Sequence, residues 1–196
     1  MAVATGARMA HAVLEKLEAE GKLDESLRYE ILNGELVIRG APRTRHERAV
    51  STLMRYFTVW AHEHGGDVFA GLGIEIGDQR PIPDCTVIGP DRVDELAEDG
   101  FHVPPDLVVE VTSPGTRSLD LHEKRDIYQQ LGVPEYWVVD LHRDVVLVHR
   151  RDPKVAGPTD RCAYAVTEHI AGATRTPAGA PGRAGPAAEL LPRRRP

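Results

Sequence analysis

The sequence predicts an α/β (α+β) fold, a mixed central β-sheet flanked by helices, and three stretches carry that prediction. Residues 105–140 read as a buried strand, a polar helix and a second strand. Residues 29–38 place Asn33-Gly34 between two apolar runs, a strong local hairpin signal. Residues 46–62 set Val50, Leu53, Met54, Phe57, Trp60 and Ala61 on one helical stripe.

From the N-terminus, Met9 to Glu20 mixes Leu, Val and Ala with Glu and Lys at helical spacing and stops at Gly21, a short amphipathic helix. In the hairpin, a type I′ turn sets Leu32 opposite Glu35. Tyr29, Ile31, Leu36 and Ile38 then share the core face, and Glu30 lies with Val37 on the other. His46 opens the next helix, a position at which histidine usually faces solvent. Val68 to Ile76 alternates with period two and reads as a strand, and Asp84 to Ile88 reads as another, with Asp84 first. The acidic segment up to Pro104 is expected to be a loop with one helical turn. Asp106 to Thr112 is a strand, followed by a Ser113-Pro114-Gly115-Thr116 turn and a helix from Leu119 to Leu131 that Gly132-Val133-Pro134 ends. Glu135 to Asp140 and Asp144 to His149 form a further hairpin, and Ala163 to Thr167 a last edge strand. Residues 171–196 are rich in Ala, Gly, Pro and Arg without periodicity, so a disordered tail is expected there. The organisation read from the chain is an N-terminal helix within 1–24, one domain over 25–170, and the tail.

A chain of 196 residues is long enough for a sizeable core. No apolar run approaches a membrane span and no signal-peptide region opens the chain, so a cytoplasmic protein without membrane contact is expected. Cys85 and Cys162 have no metal-ligand spacing and read as reduced thiols. The net charge of −6 argues against a coat of positive potential. Its distribution is uneven, however: Arg39, Arg43, Arg45, Arg48 and Arg55 cluster in one stretch, while Asp91, Asp94, Glu95, Glu98 and Asp99 gather in a loop.

The chemistry concentrates around Glu110, a carboxylate inside the apolar run Leu107 to Val111. Burying it costs several kcal/mol, on the order of the penalty for a buried ion, unless a cation or donor meets it. Lys124 is the candidate, since Leu121, Lys124, Tyr128 and Leu131 fall on one helical stripe where Leu would be ordinary. Either Lys124 pairs with Glu110, or its stem covers apolar surface while the ammonium reaches water. Asp106 and Glu110 share a strand face but lie roughly 13 Å apart, too far to grip one ion. Asp84 is the better second carboxylate if its strand pairs antiparallel with that of Glu110. Two carboxylates, a backbone carbonyl and waters would make an oxygen site for Mg²⁺ or Mn²⁺, beside which Lys124 is expected to orient or help deprotonate an attacking water and to stabilise charge building on a phosphate.

Tyr-Glu-Ile-Leu-Asn-Gly-Glu-Leu at 29–36, His46, Pro83-Asp84, Pro-Asp-Leu-Val-Val-Glu-Val-Thr-Ser-Pro at 105–114, Lys124-Arg125 with Tyr128, and Gly-Val-Pro-Glu-Tyr-Trp-Val-Val-Asp at 132–140 occur in that order. Together they resemble the Uma-two endonuclease-like family of the PD-(D/E)XK nuclease superfamily, over about residues 25–150. The resemblance implies a restriction-endonuclease-like core with a divalent metal held by Asp84 and Glu110, which with Lys124 are the expected catalytic residues. It also places His46 and Glu30 near the site as substrate-binding candidates. Thr112 departs from the pattern, standing where the superfamily motif has Lys, and Lys124 on the next helix inherits that role. Pro105-Asp106 is a rival for the Pro-Asp motif.

The expected activity is metal-dependent hydrolysis of DNA phosphodiester bonds, with the arginine cluster, Arg48 included, on the DNA backbone. Cleavage of both strands makes a homodimer a reasonable expectation. Two alternatives stand beside it: a catalytically inactive nuclease-fold domain that binds nucleic acid or a protein, its buried charges kept as an ion pair, and a small-molecule phosphohydrolase. No Gly-rich phosphate loop supports the last.

Overall fold

The computed structural model describes residues 2–98, 100–156 and 162–170; the expected tail lies outside them. Helix α1 (Ala2–Ala19) precedes a hairpin of β1 (Arg28–Leu32) and β2 (Glu35–Arg39), and helix α2 (Thr44–His64) follows. Strands β3 (Asp67–Phe69), β4 (Cys85–Ile88) and β5 (Leu107–Val111) come next, with a 3₁₀ turn at Pro90–Glu95 between the last two. A π-turn (Leu119–Glu123) runs into helix α3 (Lys124–Leu131), and β6 (Glu135–Asp140), β7 (Val145–Ala156) and β8 (Cys162–Ile170) complete the order. Strands β3 to β8 form one six-stranded sheet in sequence order. Every pairing is antiparallel except β5 with β6, whose parallel crossover is the π-turn and α3.

Strands β4 and β5 are buried at every position, as continuous β-branched runs covered on both faces must be. On one face Leu53, Phe57 and Trp60 of α2 pack on Val87, Val109 and Trp137. The rings of Phe57 and Trp137 lie 5.8 Å apart. On the other face Ile127, Tyr128 and Leu131 of α3, with Leu32 of the hairpin, pack on Val108, Tyr136 and Val138. Each such apolar side chain contributes roughly 1.5–3 kcal/mol relative to exposure. Period-two alternation puts Glu110 with Val108 on the α3 side, so the acid points at that helix.

The hairpin follows the expected register, Leu32 against Glu35 and Glu30 against Val37, and Asn33 and Gly34 have φ of +51° and +82° as a type I′ turn requires. Its faces differ from expectation. Tyr29, Ile31 and Leu36 pack under Leu14 of α1 in a small separate core, whereas Ile38 is 52% exposed. Glu30, on the opposite face, is fully buried. The hairpin is thus a slab between α1 and the charged side of the main domain.

Two further elements depart from the sequence reading. The strand expected over residues 68–76 stops at Phe69, because Gly71 turns the chain at φ +66° and Ile74 then bridges Phe101 outside the sheet. The helix expected from Leu119 begins as a π-turn, which inserts an extra residue per turn and rotates Asp120 inward.

Helix α2 ends at Gly65 in the left-handed conformation, and Gly66 lets it press on the sheet. A Cβ built on Gly66 would lie 2.5 Å from the Ile88 carbonyl and 2.8 Å from the Trp60 ring. Gly66→Ala is therefore expected to lower unfolding free energy by about 1–3 kcal/mol, read as a lower urea midpoint; an unchanged midpoint would show that the α2–sheet contact yields without cost.

Candidate active site

At the carboxyl end of β5, side chains from the hairpin, α2, the start of β4, the π-turn and α3 meet in one buried charge cluster. Lys124 lies at its centre and is fully buried. Its Nζ donates to Oε1 of Glu110 at 2.7 Å and lies 2.7 Å from Oε1 of Glu30. Of the two readings open for this lysine, the inward one holds. Tyr128, one turn along α3, donates its hydroxyl to the same Glu110 oxygen at 2.8 Å. Burial alone would strip the Lys124 proton, but the Glu110 and Glu30 charges outweigh it and raise the pKa. Lys124 is therefore held as an ammonium, unsuited to taking a proton from water.

Glu30 also accepts from the Ile82 amide at 2.7 Å, and its Oε2 lies 2.7 Å from Nε of Arg39. Arg39 Nη1 in turn reaches to 3.8 Å from Oδ1 of Asp120. Arg28, the cross-strand partner of Arg39, puts Nη1 2.7 Å from Oδ1 of Asp84. The other Asp84 oxygen takes the Val111 amide at 2.9 Å and His46 Nε2 at 3.0 Å. Asp84 thus sits one residue before β4, tied to β5 by backbone and to α2 by histidine. Burial works against its charge, yet the hydrogen bonds of His46 and Val111 and the charges of His46 and Arg28 hold its pKa well below the usual carboxylate range. Asp84 and His46 stabilise each other, since the carboxylate raises the imidazole pKa against the effect of burial. His46 is 7% exposed, contrary to the solvent-facing position expected of it.

Four carboxylates (Glu30, Asp84, Glu110, Asp120) face three permanent cations (Arg28, Arg39, Lys124). The shortage of positive charge shows at Glu110. Burial pushes this acid up to about 8, Lys124 pulls the other way, and the Asp84 and Asp120 charges add to the rise. Its Oε2 is buried without a hydrogen-bond partner. A lone carboxylate oxygen beside an ionised Asp84 suits a hard cation, whose preferred ligands are oxygens. Among the described residues no three His, Cys, Asp or Glu side chains converge as a complete metal-binding group. A cation there would take the rest of its ligands from water or substrate.

Above the cluster opens a cleft of about 470 Å³ whose lining includes Arg28, Arg39, His46, Asp84, Ser113 and Thr116. Asp84 thus borders the cleft, while Glu110 and Lys124 are not part of its lining. Arg48 is exposed on α2 and lines neither this cleft nor the cavity beside it. Asp106 binds the Gly89 amide and Arg92 and takes no part in the cluster. Asp140 receives Arg117 and caps the amides of His142 and Arg143 after β6. The sequence reading missed Arg28 and Asp120. Alternation puts Arg28, Glu30, Val37 and Arg39 on one hairpin face, a signal for the arginine, but nothing in the helical spacing signals the π-turn that turns Asp120 inward.

Comparison with known proteins bears on this arrangement. A solved structure described as a putative nuclease of DUF820 from Anabaena variabilis superposes with a TM-score of 0.67, covering 89% of this chain and 96% of its own, at 20% identity. At that identity the likeness speaks for the fold. No protein with a curated description matches the chain. The family model for Uma2, described as "Putative restriction endonuclease", matches residues 14–164, which include the hairpin, His46, Asp84, Glu110 and Lys124. The chain therefore belongs to the Uma2 family.

Proposed function

We propose that this protein is a metal-dependent endonuclease that hydrolyses DNA phosphodiester bonds at the Asp84–Glu110–Lys124 cluster. The observation that carries the reading is the unpartnered Oε2 of buried Glu110 in one charge cluster with Asp84, whose carboxylate borders a cleft lined by arginines. Membership of a family described as "Putative restriction endonuclease" supports it. Asp84 and Glu110 would hold the metal, which when bound supplies Lewis acidity toward a phosphate and a hydroxide source near neutral pH. Lys124 fixes the Glu110 carboxylate through Oε1 and leaves Oε2 available. Its charge is available to stabilise negative charge growing on the phosphate. His46 orients Asp84, and Glu30 orients Lys124 from the far side. Arg28 and Arg39 line the cleft, and in this reading their guanidiniums would meet phosphate oxygens.

A second reading is a nuclease fold that binds without cutting. It is favoured by Thr112 at the motif lysine position and by Lys124 being shared between two carboxylates. The two readings separate on metal uptake, since a purely structural ion pair takes up none.

Supercoiled plasmid with Mg²⁺ or Mn²⁺ is expected to be nicked by the wild-type chain. Asp84→Asn, Glu110→Gln and Lys124→Met should each slow nicking by on the order of 10²-fold or more, and EDTA should abolish it. Equal nicking by all four proteins would remove these residues from the chemistry. Calorimetric titration with Mn²⁺ carries a pH signature. Glu110 holds a proton up to about 8, above its ordinary value of 4.5, and a cation must displace that proton. Mn²⁺ affinity is therefore expected to rise with pH through about 8 and level off above it, and to be lost in Glu110→Gln. An affinity that is flat across that range, or retained in Glu110→Gln, would place the metal elsewhere.

A further inference from the structure

Next to the cleft lies a second cavity of about 480 Å³, whose lining includes Arg43, Arg45, Thr112, Arg117, Leu141 and His142. It shares Arg43, His46, Ser113 and Pro114 with the cleft, so the two join across the N-terminus of α2. The electrostatics of the two halves are opposite. The cleft borders the carboxylate cluster, whereas the second cavity gathers three guanidiniums against two carboxylates. Arg45 pairs with Asp144 at 2.6 Å and Arg117 with Asp140 at 2.7 Å. The guanidinium of Arg43 has no ion-pair partner among the described residues and is exposed at the boundary between the halves.

Arg43 is also the residue before the first turn of α2, in extended conformation at φ −85° and ψ 158°, and no side chain caps that turn. The amides opening a 21-residue helix are thus left for another acceptor. A second, independent feature points the same way. His46 Nδ1 is buried and makes no hydrogen bond, its nearest acid being Glu47 Oε1 at 3.5 Å, and the ring lines both cavities. An uncapped helix start and an unpaired guanidinium at one cavity mouth are the donors that an oxyanion requires, and the buried His46 ring forms part of the wall between the two cavities.

We propose that the cavity formed by Arg43, Arg117, His142 and the start of α2 is a second phosphate subsite, which seats the DNA backbone phosphate next to the one presented to Asp84 and Glu110. The assignment rests on the nuclease reading of the cleft and gives it a direction: the strand runs from the acidic cleft over the α2 N-terminus onto the basic cavity. Arg43 is the anchor, because it alone of the three arginines need not give up a carboxylate to bind. Arg117 and Arg45 contribute field while keeping Asp140 and Asp144.

Metal-free protein and a fluorescently labelled DNA duplex test this by anisotropy across a salt series, which reads binding without cleavage. Each phosphate contact contributes about 0.9 to the slope of log affinity against log salt. Arg43→Ala is expected to lower the slope by about that amount and to weaken binding several-fold, with Arg43→Lys restoring most of the slope. Lys154→Ala, exposed on β7 and lining neither cavity, should leave the slope unchanged. Equal losses from Arg43→Ala and Lys154→Ala, no loss from Arg43→Ala, or no binding by wild type would each overturn the subsite. Calorimetry with inorganic phosphate separates a small-anion site: phosphate binding lost in Arg43→Ala while the duplex fails to bind would also overturn it. A wild type that binds the duplex through Arg43 yet never cuts it contradicts the nuclease reading alone and still supports the subsite.

Discussion

An ammonium with no access to water governs this molecule. Lys124 can remain charged there only because Glu110 and Glu30 meet its ammonium on two sides. Removing one member of such a group leaves an uncompensated buried charge, a loss of about 3–5 kcal/mol. The pairing therefore dictates which elements must come together. Strand β5 supplies one acid, the hairpin the other, and the crossover helix the ammonium that both meet.

That requirement explains the position of a two-stranded hairpin that joins no strand of the main sheet. Such a hairpin is marginal by itself. Here it is held by apolar contacts to α1 on one side and by the charge cluster on the other, with the Ile31–Arg80 bridge tying its edge. Arg28 and Arg39, paired across the ladder, reach from one face to Asp84, Glu30 and Asp120. The hairpin thus supplies two of the three permanent cations to a site whose acids come mostly from elsewhere. Its removal would strand those acids.

Much of this was legible in the sequence, because a charged residue inside an apolar run has so few permitted environments. Glu110 in a β-branched strand demanded a cation, and Lys124 on an apolar stripe was the residue placed to supply it. Asp84 was reachable through strand pairing, since Cys85 faces Val109 in an antiparallel ladder. The hairpin register followed from Asn33-Gly34, but which of its faces was wet did not. Amphipathicity marks an apolar face as buried, and here the polar face is buried as well. Asp120 was hidden for a different reason. Its inward turn comes from one extra residue in the first helical turn, a backbone feature that period-3.6 reasoning has no means of registering. The strand expected through Ile76 failed because alternation over residues 68–76 does not weigh the glycine turn at position 71.

The central claim is that Lys124 and Glu110 are energetically one unit, and a double-mutant cycle in urea measures it most directly. Lys124→Met alone is predicted to cost about 3–5 kcal/mol, and adding Glu110→Gln to it should return a large part of that loss, a coupling well outside additivity. Two single losses that sum to the double loss within about 0.5 kcal/mol would show that the pair is not coupled, and the account of the site built on it would fail.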